Sequence, residues 1–145
     1  MDKSSRYIII VEDSEADFES LIRGFKKAGI DNPVRRFVSG DDMLAFLGEA
    51  DERTADFERP LMIFLDLNIP DTSGWQVLKD IKSQQDLRGI PIVVTSSNED
   101  PREVALCYQH GANSYLLKMT DLATFHQHIQ QLKTYWWETV LLPVY

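Results

Sequence analysis

Tyr7-Ile8-Ile9-Ile10-Val11-Glu12-Asp13 sets a continuous apolar run, four of its five residues β-branched, directly before two carboxylates. Five such residues without alternation read as a strand buried on both faces. Ser14 can cap a following helix, with Asp17 in its first turn. Phe18, Leu21, Ile22 and Phe25 recur at i, i+3, i+4 and i+7, which is one helical face, and Gly29 marks its stop. Strand, acidic turn and helix form a unit that the rest of the chain repeats.

Residues 34–38 read as a second, weaker strand. Met43, Leu44, Phe46 and Leu47 suit a short helix ending at Gly48, and the acid-rich stretch 49–59 suits a solvated loop. A third strand covers 61–65, and a loop over 66–73 contains Pro70. Trp75, Leu78 and Ile81 mark a third helix, and 91–95 a fourth strand. Asp100-Pro101-Arg102-Glu103 has the order of a helix start: a capping Asp, Pro in the first turn, Glu at the third position. Gly111 ends that helix, and 114–117 forms the fifth strand. Leu122, Phe125, Ile129, Leu132 and Trp136 space the last helix by 3, 4, 3 and 4. Strands alternating with helices predict a parallel sheet with right-handed crossovers.

The 145 residues suit one domain. Fifteen Lys and Arg face 23 Asp and Glu, a net charge of -8, which repels polyphosphate and argues against nucleic-acid binding. A single cysteine, Cys107, excludes an internal disulfide and fits a reducing compartment. No stretch approaches the roughly 20 apolar residues of a membrane span. The polar start of the chain does not read as a signal peptide. A cytoplasmic protein without membrane partners is expected.

In open parallel sheets the functional crevice lies beyond the carboxyl ends of the strands. Glu12 and Asp13 follow the first strand, Asp66 the third, Ser96 and Ser97 the fourth, and Lys118 the fifth. Three close carboxylates cannot all stay ionised without a cation. Oxygen ligands of this kind suit Mg²⁺. A carboxylate can itself be the nucleophile of aspartyl-phosphate chemistry, with a metal and a lysine offsetting phosphoryl charge. Asp66, on the most central apolar strand, is the first candidate.

These residues resemble the receiver domain of two-component response regulators. The matching motifs are Val11-Glu12-Asp13, Phe64-Leu65-Asp66-Leu67-Asn68-Ile69-Pro70, Gly74, Pro91-Ile92-Val93-Val94-Thr95-Ser96, Gly111-Ala112 and Tyr115-Leu116-Leu117-Lys118. The spacings of 30 from Asp66 to Ser96 and 22 from Ser96 to Lys118 also match. The resemblance covers nearly the whole chain, with a receiver expected over 6–133 and an extension over 134–145. It implies an α/β, flavodoxin-like, doubly wound (βα)5 sandwich around a five-stranded parallel sheet.

It further implies that Asp66 accepts a phosphoryl group from a histidine kinase. Asp13, Asp66 and the backbone carbonyl of Asn68 would bind Mg²⁺ (or Mn²⁺), and Glu12 would help through a water. Ser96 would bond the phosphoryl group and carry the switch, Tyr115 would turn inward after it, and Lys118 would pair with a phosphoryl oxygen. Ser97 and Asn98 would flank the phosphate. One departure stands out. The family's lysine is normally followed by a cis proline, but Met119 follows Lys118 here, so either that loop is strained or Lys118 is aimed from a trans loop.

The extension carries Trp136, Trp137, Leu141 and Leu142. Such an apolar ending either folds back on its own domain or, the favoured reading, builds a two-fold homodimer with the fourth helix, fifth strand and fifth helix. The ending and the long loop 49–59 also resemble receivers paired with phytochrome-type histidine kinases. A stand-alone receiver that signals through protein contacts, rather than an enzyme, is therefore expected. A phosphorylation-independent scaffold is the alternative. An aspartate-nucleophile phosphatase ranks lower, because Asp66-Leu67-Asn68 lacks the second carboxylate of Asp-x-Asp. His126 and His128, two apart, are expected on the surface, and Cys107 in the core.

Overall fold

The computed structural model describes residues 2–51, 59–69 and 73–144, with backbone only at 49–51. Its strands are β1 (Ile8–Val11), β2 (Val34–Phe37), β3 (Met62–Asp66), β4 (Ile92–Ser96) and β5 (Ser114–Leu117). Its α-helices are α1 (Glu15–Ala28), α2 (Gly40–Asp51), α3 (Gly74–Ser83), α4 (Pro101–Gln109) and α5 (Leu122–Lys133). The strands form one parallel sheet in the order β2-β1-β3-β4-β5. This is the predicted doubly wound α/β sandwich, and the order reverses between β1 and β3.

The uninterrupted apolar strands explain the two layers. Ile9 and Val11 point into a core with Met43, Leu47, Leu78 and Ile81 of α2 and α3. Ile8 and Ile10 point the other way, against Leu21, Phe25, Phe125 and Ile129 of α1 and α5. All four strand residues are fully buried, each side chain stabilising by roughly 1.5–3 kcal/mol. Local signals start and stop the helices as expected. Ser14 Oγ accepts the Asp17 amide, Asp100 accepts the Arg102 amide, and Gly29 closes α1 at φ 78°.

Four details depart from the sequence reading. Asp66 and Ser96 are the last residues of their strands, not the first of their loops. The second helix does not end at Gly48 but runs to Asp51. Gly48 lacks the positive φ that would turn the chain, so its modest propensity cost does not break a helix already propagating. Leu122 belongs to the apolar series yet stays 46 % exposed, whereas Phe125 and Ile129 of the same series are buried against α1. His126 is not a surface residue. It packs on Gly24 of α1, and both ring nitrogens are buried without a partner among the described residues. The expectations for Pro70 and most of the loop 49–59 fall outside the described residues.

The extension packs on its own domain, the first of its two expected courses. After α5 the chain continues as a π-helical segment, Thr134–Thr139, that folds back on its own domain. Trp136 is buried at 9 % exposure, and Trp137, Val140 and Leu142 pack beside it on the α1–α5 core. The Trp137 indole donates to Asn32 Oδ1 at 3.1 Å. Lys3 Nζ donates to the carbonyls of Trp136 (2.8 Å), Trp137 (3.3 Å) and Val140, and Arg6 to that of Pro143 (2.9 Å). The Lys3 contacts satisfy carbonyls at the end of this helical segment. Of the four residues assigned to an interface, only Leu141 is fully exposed, at 96 %. Tyr145 lies outside the described residues.

Candidate functional site

Register brings the acidic residues together. Val11 pairs with Leu65 across β1 and β3, so Glu12 and Asp66 leave the sheet side by side. The Glu12 amide donates to Phe37 O, extending the ladder one residue beyond the strand. Glu12 and Asp66 are buried, while Asp13 is exposed at the mouth. One oxygen from each of the Glu12, Asp13 and Asp66 carboxylates lies within 4.8 Å of the other two. Behind Asp66 the start of α3 approaches the end of β3 closely: the Gly74 amide donates to Leu67 O, and a side chain at Gly74 would meet the Leu67 backbone at 2.6 Å. The Asn68 amide donates to Asp66 Oδ1 at 3.0 Å and fixes the carboxylate's orientation.

Lys118 reaches this cluster. Its amide donates to Ser96 O at 2.8 Å, continuing β5, and no described peptide bond is cis, so the loop through Met119 is trans. Its ammonium lies 2.8 Å from Glu12 Oε1, 3.2 Å from Asp66 Oδ2 and 2.9 Å from Asp17 Oδ2. The exchange of proline for methionine thus leaves the lysine aimed into the site. Asp17 is the partner that sequence reading missed. It was assigned only to a helix start, and no local signal links it to a residue 101 positions away.

Burial pushes the Glu12 carboxyl up to about 7; the hydrogen bond with Asp66 adds to this and Lys118 opposes it. Burial opposes the charge on Lys118, but its bonds to Glu12 and Asp17 and the Asp66 charge outweigh it and hold the ammonium above the ordinary lysine range. One ammonium is thus shared among three carboxylates, with a fourth, Asp13, beside them. Such an all-oxygen set with excess negative charge fits a hard divalent cation.

A cleft of about 350 Å³ opens over the cluster, lined by Glu12, Asp13, Ser14, Asp17, Asp66, Asn68, Ser97, Lys118, Met119 and Thr120. Ser96 is buried behind it and accepts the Asn98 amide at 3.1 Å. The Asn98 side chain is turned away from the cleft to accept the Asp100 amide, so of the two expected flanking residues only Ser97 lines the opening. Tyr115 is half-buried against the α2–α3 core, and its hydroxyl donates to Asn98 O at 2.6 Å. Burial raises its phenol above the ordinary range.

The sequence profile of the response regulator receiver domain matches residues 8–130. The chain belongs to that family. Response regulator Rcp1 of Synechocystis sp. is 35% identical over 138 residues, 95% of this chain and 93% of its own. The Mn(2+)-bound structure of Rcp1 superposes with a TM-score of 0.82 at 34% identity, covering 96% of this receiver and 99% of that chain. The phosphorylated cyanobacterial phytochrome response regulator RcpA superposes with a TM-score of 0.83 at 29% identity, with the same coverage. No helix among the described residues of this receiver is long and apolar enough to cross a membrane.

Proposed function

We propose that this receiver accepts a phosphoryl group on Asp66 from the phosphohistidine of a histidine kinase. One observation carries the reading: three carboxylates converge within 4.8 Å beneath one ammonium, at the point where the strand order reverses. An Asp66 oxygen attacks phosphorus, the P–N bond breaks, and the imidazole leaves with a proton. Asn68 holds the attacking carboxylate in place through its amide. Lys118 faces Asp66 Oδ2 and balances charge on the transferred group. Asp13, Asp66 and the Asn68 carbonyl, with Glu12 helping through a water, would hold Mg²⁺ (or Mn²⁺), which would supply positive charge against the phosphoryl oxygens.

Ser96 and Tyr115 carry the switch in this reading. Both bond to the Asn98 backbone, Ser96 to the amide and Tyr115 to the carbonyl, so movement of one is felt by the other. Phosphorylation shifts the population between two arrangements of this link. The likeness to RcpA supports a kinase of the phytochrome type. The chain is a phosphoacceptor rather than a turnover enzyme, because Asn68 stands in the cleft where a phosphatase of this chemistry places a second carboxylic acid. A second copy docks on α4, β5, α5 and the end of the extension, where Leu106, Tyr108, Leu122 and Leu141 stay exposed. The buried free thiol of Cys107 suits the reducing cytoplasm.

Intact-mass analysis with phosphoramidate and Mg²⁺ tests the phosphoacceptor. One phosphoryl increment, lost in Asp66→Ala, is expected. No increment, or one that survives Asp66→Ala, overturns the reading.

A further inference from the structure

The backbone of Lys118 is pinned to β4, so only its side chain can redistribute among its partners. Two of these, Glu12 and Asp66, are buried in the site, whereas Asp17 sits half-exposed at the start of α1. Lys118 and Asp17 line both the open cleft and a second cavity of about 40 Å³, which also touches Ser20, Leu21 and Phe125. The ammonium therefore stands between two spaces, drawn into the cleft by Asp66 and back towards α1 by Asp17.

The Asp17 side chain does nothing else that the described contacts show. The start of α1 is held by the Asp17 backbone amide on Ser14 Oγ, not by its carboxylate. Glu15 already places an acid in the same turn, where the helix dipole favours one. Reaching Lys118 across 101 residues of sequence is thus a separate property of the carboxylate.

We propose that Asp17 is a positioning residue which competes with the phosphoryl group for Lys118 and so weakens the phosphorylated state. The inference rests on Asp66 being the phosphoacceptor. A phosphoryl group on Asp66 draws Lys118 onto its oxygens. Every conformer in which Asp17 retains the ammonium is lost to that pairing, so the occupied site is less favoured than it would be without Asp17.

The full chain with Mg²⁺ is titrated with beryllium trifluoride, an anion that takes the phosphoryl position on a carboxylate, and affinity is read by calorimetry. Asp17→Asn is expected to bind about threefold tighter, the scale of a partly exposed ion pair. Asp17→Glu, which restores the charge, returns affinity to that of the parent. Glu19→Gln removes an exposed acid from the same helix and leaves affinity unchanged. Equal affinity in Asp17→Asn and parent overturns the proposal, as does equal tightening by Glu19→Gln, which would show bulk charge at work. A parent that neither binds the anion nor gains phosphoryl mass on Asp66 overturns the phosphoacceptor reading itself, and this inference with it.

Discussion

Two lysines at opposite ends of the domain each gather three oxygens, and they do opposite things. Lys118 is surrounded by the carboxylates of Glu12 and Asp17, at the turn from β1 into α1, and of Asp66, at the end of β3. Lys3 is surrounded by the carbonyls of Trp136, Trp137 and Val140, all on one short segment. Carboxylates on rotatable side chains can be esterified, protonated or given up to a metal. The three carbonyls around Lys3 belong to the main chain, so they are neither esterified nor protonated near neutral pH and cannot rotate away from the ammonium. The first arrangement is a balance of charges that a ligand can tip, and the second is a fixed clasp.

Substitutions at the two ends sharpen this contrast. The largest effect expected is at the site: Asp66→Asn abolishes acceptance of phosphoryl from phosphoramidate, measured by intact mass, and leaves the clasp untouched. Next, Trp136→Ala empties a filled position under the clasp and costs about 3 kcal/mol in urea unfolding. A loss under 1 kcal/mol would mean that the extension is not docked in solution.

Lys118→Met leaves buried Glu12 and Asp66 without their cation. We expect a loss of about 2 kcal/mol at pH 8, below the full cost of a buried pair because Lys118 is partly exposed. The loss shrinks at pH 5.5, where Glu12 takes up a proton. Lys3→Met removes a partly exposed donor and costs about 1 kcal/mol, independent of pH over the same range. A pH-dependent loss there, or a pH-independent one at Lys118, breaks the comparison.

The smallest effect concerns the metal. Glu12 is raised to about 7 in the folded chain against an ordinary 4.5. Its contribution to stability is therefore full below pH 4.5 and is lost as pH rises through 7. A cation reverses this by favouring the carboxylate. The rise in melting temperature caused by Mg²⁺ should grow between pH 5.5 and 7.5, and a flat profile in thermal melts would count against Glu12 as part of the site.

What the sequence reveals follows the reach of each interaction. The strands, the caps at Ser14, Gly29 and Asp100, and the meeting of Glu12, Asp13 and Asp66 depend on local pattern and on one topological rule. Asp17 depends on a partner 101 residues away, and its position at a helix start already has a sufficient local explanation. His126 lies over Gly24, whose missing side chain lets α5 approach α1, a fit that periodicity cannot express. The ending was read as an interface because its composition is that of one. Part of that apolar surface meets its own chain, and the Lys3 ammonium that secures it sits among polar residues with no pattern to mark it.

The clasp also bears on synthesis. It joins Lys3 to Val140, 137 positions apart, so it can form only after Val140 has left the ribosome. Until then the nascent domain carries an uncovered α1–α5 surface and a Lys3 ammonium without these carbonyls, so translation orders the closing of the clasp after the synthesis of every strand of the sheet.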